Sequence, residues 1–156
     1  MSIQVGDAAP DFTVRDQNHE DVTLSSFRER KNVLLVFYPF AFSGVCTKEL
    51  CMVRDDLPSF QNEDVQLLAV STDPTYTLKA WAGVEGYQFP LLSDFWPHGD
   101  VAKEYGVFDD KRGMAVRGTF LVDRSGIVRF AEVNGPGEMR DQEGWKSALA
   151  AVTVAD

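Results

Sequence analysis

The residues best suited to chemistry lie in one stretch, Tyr38-Pro39-Phe40-Ala41-Phe42-Ser43-Gly44-Val45-Cys46-Thr47-Lys48-Glu49-Leu50-Cys51. Cys46 sits where an apolar strand pattern, ended by Pro39 and a loop, gives way to a helical one. A cysteine in the first turn of a helix lies beside unpaired backbone N–H groups and the positive end of the helix dipole, and both favour thiolate. A free thiol titrates near ~8.5, whereas a helix N-terminus with a cation beside it brings the value to roughly 3.5–7.5. Ionisation alone does not make a fast nucleophile, because nucleophilicity falls with pKa. A reactive sulfur here also needs donors aimed at the charge that builds on a leaving group. Ser43, three residues before Cys46, could turn its hydroxyl that way, and the N–H groups of Val45 and Cys46 could add two donors. Pro39 has no N–H and presents an apolar wall that would exclude water. The two cysteines, Cys46 and Cys51, leave open buried packing, a metal pair or redox chemistry.

The elements that must position these residues follow from hydrophobic period. Phe12–Val14 and Val22–Leu24 read as short strands joined by the polar loop Arg15–Asp21, and Ser25–Phe27 as a helical turn. Asn32–Tyr38 is continuously apolar after its first residue, the pattern of a central parallel strand covered on both faces, and Pro39 ends it. Leu50, Val53, Leu57 and Phe60 recur at three- and four-residue spacing, so a helix is predicted from Cys46 to about Phe60. Val65–Val70 is a second buried strand. Asp73-Pro74 opens a helix reaching about Val84. Phe89–Leu92 reads as a short strand and Asp100–Tyr105 as a short helix. Gly118–Val122 and Ile127–Ala131 flank the turn Asp123-Arg124-Ser125-Gly126 as a hairpin, and a last helix runs from about Asp141 to Val152. Strand–helix–strand first, hairpin and terminal helix last, is the order of a thioredoxin-like α/β fold, a mixed β-sheet flanked by helices. In such folds chemistry gathers where a strand's C-terminal end meets the next helix, and Cys46 falls at such a place.

Bulk properties narrow the function classes. The chain of 156 residues has 44% hydrophobic and 25% charged residues, which suits one soluble globular domain over residues 1–156. The formal net charge of -9 argues against nucleic-acid and anionic-membrane partners, which need basic patches. No apolar run is long enough to span a bilayer, and Met1-Ser2-Ile3-Gln4-Val5 has no signal-peptide pattern, so a cytoplasmic protein is expected. There a permanent structural disulfide is disfavoured. His19 and His98 are far apart and lack ligand spacing with the cysteines, so no metal site is expected. No Gly-rich dinucleotide fingerprint occurs, and no cofactor is expected. Trp81 and Trp145 read as core or helix-face residues.

Pro39-x-x-x-Ser43-x-x-Cys46 resembles the motif of the peroxiredoxin family of thiol peroxidases, in which a proline and a serine or threonine precede the peroxidatic cysteine. Ala8-Ala9-Pro10-Asp11-Phe12 is similar to that family's N-terminal segment. Arg117-Gly118-Thr119-Phe120-Leu121-Val122-Asp123 is similar to the strand carrying its active-site arginine, so the resemblance covers nearly the whole chain. Phe89-Pro90-Leu91-Leu92-Ser93-Asp94-Phe95-Trp96-Pro97-His98-Gly99 further resembles the actinobacterial alkyl hydroperoxide reductase E branch. The resemblance implies that Arg117 reaches Cys46 in space, and a guanidinium there would hold the thiolate and the peroxide oxygens. Glu49 matches a common acidic position, expected to orient Arg117 or a water. The implied reaction leaves Cys46 as a sulfenic acid that a thiol must reduce.

Cys51 departs from those members of the reductase E branch that have no cysteine at this position, and its spacing from Cys46 resembles the resolving pair of Q-type peroxiredoxins. On an intact helix five residues give ~140° of rotation and ~7.5 Å of rise, beyond disulfide reach, so an internal bond needs the first turns to unwind. The alternative is that Cys51 is a small buried hydrophobe and that an external thiol recycles Cys46. The implied partners are a hydroperoxide and a thioredoxin-, mycoredoxin- or low-molecular-weight-thiol-type reductant. A homodimer is expected, with the aromatic loop Phe95-Trp96-Pro97-His98 and exposed Phe40 and Phe42 at its interface. Two other classes stand beside this reading. A thiol–disulfide oxidoreductase would reduce insulin but lacks a C-x-x-C pair. A non-enzymatic redox sensor would form the sulfenic acid without turnover.

Overall fold

The computed structural model describes residues 3–135 and 138–155, with side chains through residue 152. Its centre is a seven-stranded mixed sheet in the order β2-β1-β5-β4-β3-β8-β9. The strands are β1 (Thr13–Arg15), β2 (Asp21–Thr23), β3 (Asn32–Phe37), β4 (Val65–Ser71), β5 (Leu91–Ser93), β8 (Arg117–Val122) and β9 (Val128–Asn134). A separate two-stranded pair, β6 (Phe108–Asp109) and β7 (Met114–Ala115), lies between β5 and β8 in the chain. β3 pairs parallel with β4, and β4 with β5, while β8 runs antiparallel to both β3 and β9. The α-helices among the described residues are α1 (Gly44–Asp55), α2 (Thr75–Glu85), α3 (Asp100–Glu104) and α4 (Gln142–Ala155).

Strand alternation divides the core into two. Leu34, Val36 and Tyr38 project into one cluster with Cys46, Leu50 and Val53 of α1, Leu78 and Trp81 of α2, and Trp145 and Leu149 of α4. Val33, Leu35 and Phe37 project into the other, with Phe12, Leu24, Val101, Ala102 and Tyr105. β3 is therefore buried on both faces, which is why its sequence is an unbroken apolar run rather than an alternating one. Both Trp81 and Trp145 are fully buried.

The element boundaries depart from the sequence expectation where side chains compete for backbone groups. α1 starts at Gly44 and ends at Asp55, and a 3-10 turn, Leu57–Ser59, follows in place of a continuous helix to Phe60. Pro58 is the reason: it has no N–H for the helical ladder and disfavours helical geometry at Leu57. Phe60 still reaches the core, packing edge-on against Trp145 with ring centroids 5.7 Å apart. β5 begins at Leu91 rather than Phe89. The buried Gln17 side chain there donates to the Phe89 carbonyl at 3.0 Å and accepts from the Leu91 N–H at 2.8 Å. The β6–β7 pair, two residues per strand, carries too little periodicity to be read from sequence.

Asp94, just after β5, organises the aromatic loop that follows. Its carboxylate accepts the N–H groups of Val101 at 3.0 Å and Ala102 at 2.9 Å, in the first turn of α3. Burial outweighs these bonds and pushes the carboxyl up to about 6. An acid with a raised folded-state pKa contributes stability that is fully present below its ordinary value and is lost as pH rises through the folded value. Parent protein is therefore expected to gain unfolding free energy from this group as pH falls from about 6 towards about 4. Asp94→Asn should lack that component, as urea titrations across this pH range would show.

Candidate active site

The sharp turn between β3 and α1 places Cys46 in the third position of the helix. The buried ring of Pro39 follows Tyr38, whose N–H is still held by the Val70 carbonyl at 3.0 Å. Asp73, beyond β4, then accepts the Ala41 N–H at 2.8 Å and so ties the loop to the neighbouring strand end. Phe42 adopts a left-handed φ of 68°. That conformation costs a non-glycine residue about 1–2 kcal/mol and persists only where surroundings impose it. Ser43 occupies the N-cap position in extended conformation. Its hydroxyl donates to the Phe40 carbonyl at 2.8 Å and does not cap the helix, so in this state it braces the loop rather than turning to the sulfur. The first backbone group to bond back is the Thr47 N–H, to the Ser43 carbonyl at 2.8 Å. The N–H groups of Val45 and Cys46 precede it, among the helix's orphan donors.

Cys46 is fully buried. Arg117, first residue of β8 and 2% exposed, donates from Nη2 to the Cys46 sulfur at 3.0 Å. Its Nη1 donates to Glu49 Oε1 at 3.2 Å. The guanidinium thus spans the sulfur and a carboxylate one helical turn further along α1. Glu49 is itself completely buried, which a lone carboxylate would not tolerate.

The compensating group is Arg140, a residue with no signal in the sequence beyond being a cation near the start of the last helix. It is 4% exposed, and its Nε and Nη2 donate to Glu49 Oε1 at 3.0 and 2.7 Å. Its backbone N–H reaches Glu49 Oε2 at 2.9 Å. The Arg140 Nη1 donates to the Gly118 carbonyl and to Thr119 Oγ1 on β8. Burial lowers the Arg140 pKa, and the Glu49 carboxylate opposes that shift. Gln142 adds a bond from Nε2 to the Glu49 carbonyl at 3.1 Å. Three distant parts of the chain therefore meet at Glu49: α1, β8 and the segment leading into α4.

Cys51 lies on another side of α1. It is half-buried, its thiol donates to Glu85 Oε2 at 3.3 Å, and Tyr87 Oη stands 3.5 Å away. Burial pushes this thiol up from its ordinary range. Both cysteines are free, and α1 is continuous between them. The structure thus brings Cys46, Arg117 and Glu49 together, keeps Pro39 and Ser43 in the loop beneath the sulfur's helix, and holds Cys51 apart. Among the described residues no group of three or more His, Cys, Asp or Glu is placed to hold a metal ion, and no helix is long and apolar enough to cross a membrane.

Residues 5–131 match the model of the AhpC/TSA family. The chain belongs to that family. It is 59% identical over 152 residues to alkyl hydroperoxide reductase E of Mycobacterium tuberculosis, covering 97% of this chain and 99% of that protein. Among solved structures, AhpC of Enterococcus faecalis superposes with a TM-score of 0.88 at 28% identity, over 99% of this chain and 95% of that one. The reduced 2-Cys peroxiredoxin of Plasmodium vivax does so with a TM-score of 0.86 at 30% identity, over 96% and 82%. This AhpC/TSA protein is a thiol-dependent peroxidase on a thioredoxin-like fold: it reduces a hydroperoxide at the expense of a thiol reductant.

The buried ion network carries a stability consequence for this peroxidase. Glu49→Gln removes the carboxylate that both Arg117 and Arg140 contact and brings two buried guanidiniums together without it. Breaking a buried pair in this way costs about 3–5 kcal/mol. A lowered urea midpoint with unchanged denaturant dependence would register that loss, and an unaltered midpoint would contradict it.

Proposed function

We propose that Cys46 is the sulfur that reduces the hydroperoxide, and that Arg117 is its electrostatic partner throughout. The observation that carries this reading is the 3.0 Å contact between the Arg117 guanidinium and the buried Cys46 sulfur at the start of α1. The thiolate attacks the nearer oxygen of ROOH in line with the O–O bond. The S–O bond forms, the O–O bond breaks, and the departing alkoxide or hydroxide takes up a proton to leave as ROH or water. Cys46 is left as a sulfenic acid. Negative charge moves from sulfur to the leaving oxygen, so the groups that matter are donors fixed along that path. The Arg117 fork covers the sulfur end. The Val45 and Cys46 N–H groups, and the Ser43 hydroxyl once it swings from the Phe40 carbonyl, supply the rest.

Pro39 shields the sulfur from water. Glu49 and Arg140 are positioning residues, since they hold the Arg117 fork without touching the reacting atoms. Hydrogen peroxide and organic hydroperoxides are the substrates proposed. The sulfenic acid is resolved by Cys51 after α1 unwinds or by an external thiol, the reductant being of thioredoxin, mycoredoxin or low-molecular-weight-thiol type. The chain acts as one domain, in the cytoplasm, and as a homodimer. Support for the dimer comes from exposed Phe40, Phe42, Phe95 and Trp96, of which Trp96 is 83% accessible. Aromatic residues are enriched at such interfaces.

Stopped-flow tryptophan fluorescence of the reduced protein mixed with hydrogen peroxide tests the assignment, backed by mass spectrometry of trapped sulfenic acid. A fast second-order phase is expected, absent in Cys46→Ser and slowed by about 10²–10³ in Arg117→Ala. Sulfenic acid forming no faster than on a free thiol would overturn it. For the second cysteine, Cys51→Ser is expected to lower steady-state turnover with a thioredoxin-type reductant. Turnover equal to the parent's would assign resolution to the external thiol.

A further inference from the structure

Cys51 sits among ionisable side chains of α1, α2 and the segment after α2. At neutral pH a thiol whose pKa burial has raised is protonated, and a protonated sulfur is a poor nucleophile. Resolution by Cys51 therefore needs a group that takes its proton. Glu85 is the last residue of α2, and Gly86, at φ 72°, turns the chain there so that Tyr87 comes back towards α1. Glu85 and Tyr87 consequently face the same sulfur, at 3.3 and 3.5 Å. Arg54, on α1, donates from Nη1 to the Glu85 carbonyl at 2.7 Å and lies 3.7 Å from Glu85 Oε2. Its Nε is bonded to Asp55, so Glu85, Tyr87, Arg54 and, behind it, Asp55 are the titratable and charged groups around this thiol.

We propose that Glu85 is the general base that takes the Cys51 proton as Cys51 attacks the Cys46 sulfenic acid. The proposal rests on the reading that Cys51 resolves Cys46. The Cys51 proton passes to Glu85 Oε2 while the sulfur's electron pair forms the S–S bond. The S–O bond of Cys46 breaks, and the departing hydroxide takes up a proton from the new Glu85 acid, directly or through solvent, to leave as water. Cys51 is oxidised from thiol to disulfide, and Cys46 is reduced from sulfenic acid to disulfide.

Geometry explains how base and nucleophile stay together while the helix opens. Disulfide formation needs the first turns of α1 to unwind, and those turns carry Cys46 and Thr47. Cys51 and Arg54 lie in the later turns, so the Arg54–Glu85 contacts remain with Cys51. Tyr87 Oη now donates to the Thr47 carbonyl at 3.3 Å. Unwinding withdraws that acceptor and frees the phenol to donate to the sulfur as negative charge develops on it.

The test is rapid-quench mass spectrometry of the internal disulfide after mixing reduced protein with one equivalent of hydrogen peroxide, across neutral to mildly alkaline pH. In the parent, disulfide formation should be flat through neutrality, because the base is built in. In Glu85→Gln it should fall by about a hundredfold at neutral pH and then climb about tenfold per pH unit as solvent hydroxide takes over. Glu85→Asp should keep part of the rate and the flat profile. A parent profile that itself climbs tenfold per unit overturns the proposal without any variant. So does a Glu85→Gln rate equal to the parent's, or one depressed equally at every pH, which is the mark of a packing role. If the parent forms no internal disulfide, resolution by Cys51 fails and this role fails with it. If the parent forms one and Glu85→Gln is indifferent, only the role of Glu85 falls.

Discussion

The Glu49 carboxylate, wholly buried between the guanidiniums of Arg117 and Arg140, is the constraint on which the rest of this structure hangs. A buried carboxylate is tolerable only with charge and hydrogen bonds on both oxygens. Here Oε1 receives both arginine side chains and Oε2 a backbone N–H. Satisfying that one group requires α1, the first residue of β8 and the approach to α4 to converge within hydrogen-bond distance. The same convergence leaves the second Nη of Arg117 pointing at Cys46. Two guanidiniums, a carboxylate and the Cys46 sulfur are thus joined in one buried hydrogen-bonded cluster.

Rigidity below the sulfur has a counterpart in strain beside it. The turn from β3 into α1 is short, holds Phe42 left-handed, and is pinned through Ala41 to Asp73. Asp73 is in turn bonded by the Ser71 hydroxyl at 2.7 Å, at the end of β4. The strand that neighbours β3 in the sheet therefore dictates where the helix can begin. The outcome is a helix whose unpaired N–H groups and dipole are delivered to a fixed point, as preorganised catalysis requires.

A tension follows between the two proposed chemical steps. Reaction with peroxide profits from a locked first turn, whereas a bond between Cys46 and Cys51 demands that the turn come apart. The lock is concentrated on Glu49, in the second turn, while the Cys51 side chain is held by a different set of partners on α2 and beyond it. The two halves of α1 are thus held by different partners. Ser43 lies on the side of Cys46 in this division, since its hydroxyl braces the loop before α1.

Much of this was legible in the residues themselves. The unbroken apolar run of β3, the proline after it and the cysteine at the start of a helical pattern are local signals, and local periodicity reports burial directly. The motif spacing from Pro39 to Cys46, with the resemblance it carries, also singled out Arg117. The break in α1 was written in Pro58 but masked by the continuing three- and four-residue spacing to Phe60. Arg140 could not be read at all, because an arginine between Met139 and Asp141 looks like any surface charge. Its burial depends on Glu49, 91 positions earlier, needing a second cation. The environment of Cys51 was equally hidden, since Glu85 and Tyr87 face it only after Gly86 reverses the chain. The sequence by itself determined the order of elements and the place of Cys46 at the start of a helix, because these rest on period and turn chemistry within a few residues. Only the tertiary structure decided which charges neutralise one another and which groups surround each sulfur, because Coulomb and hydrogen-bond partners are chosen by distance in space, not along the chain.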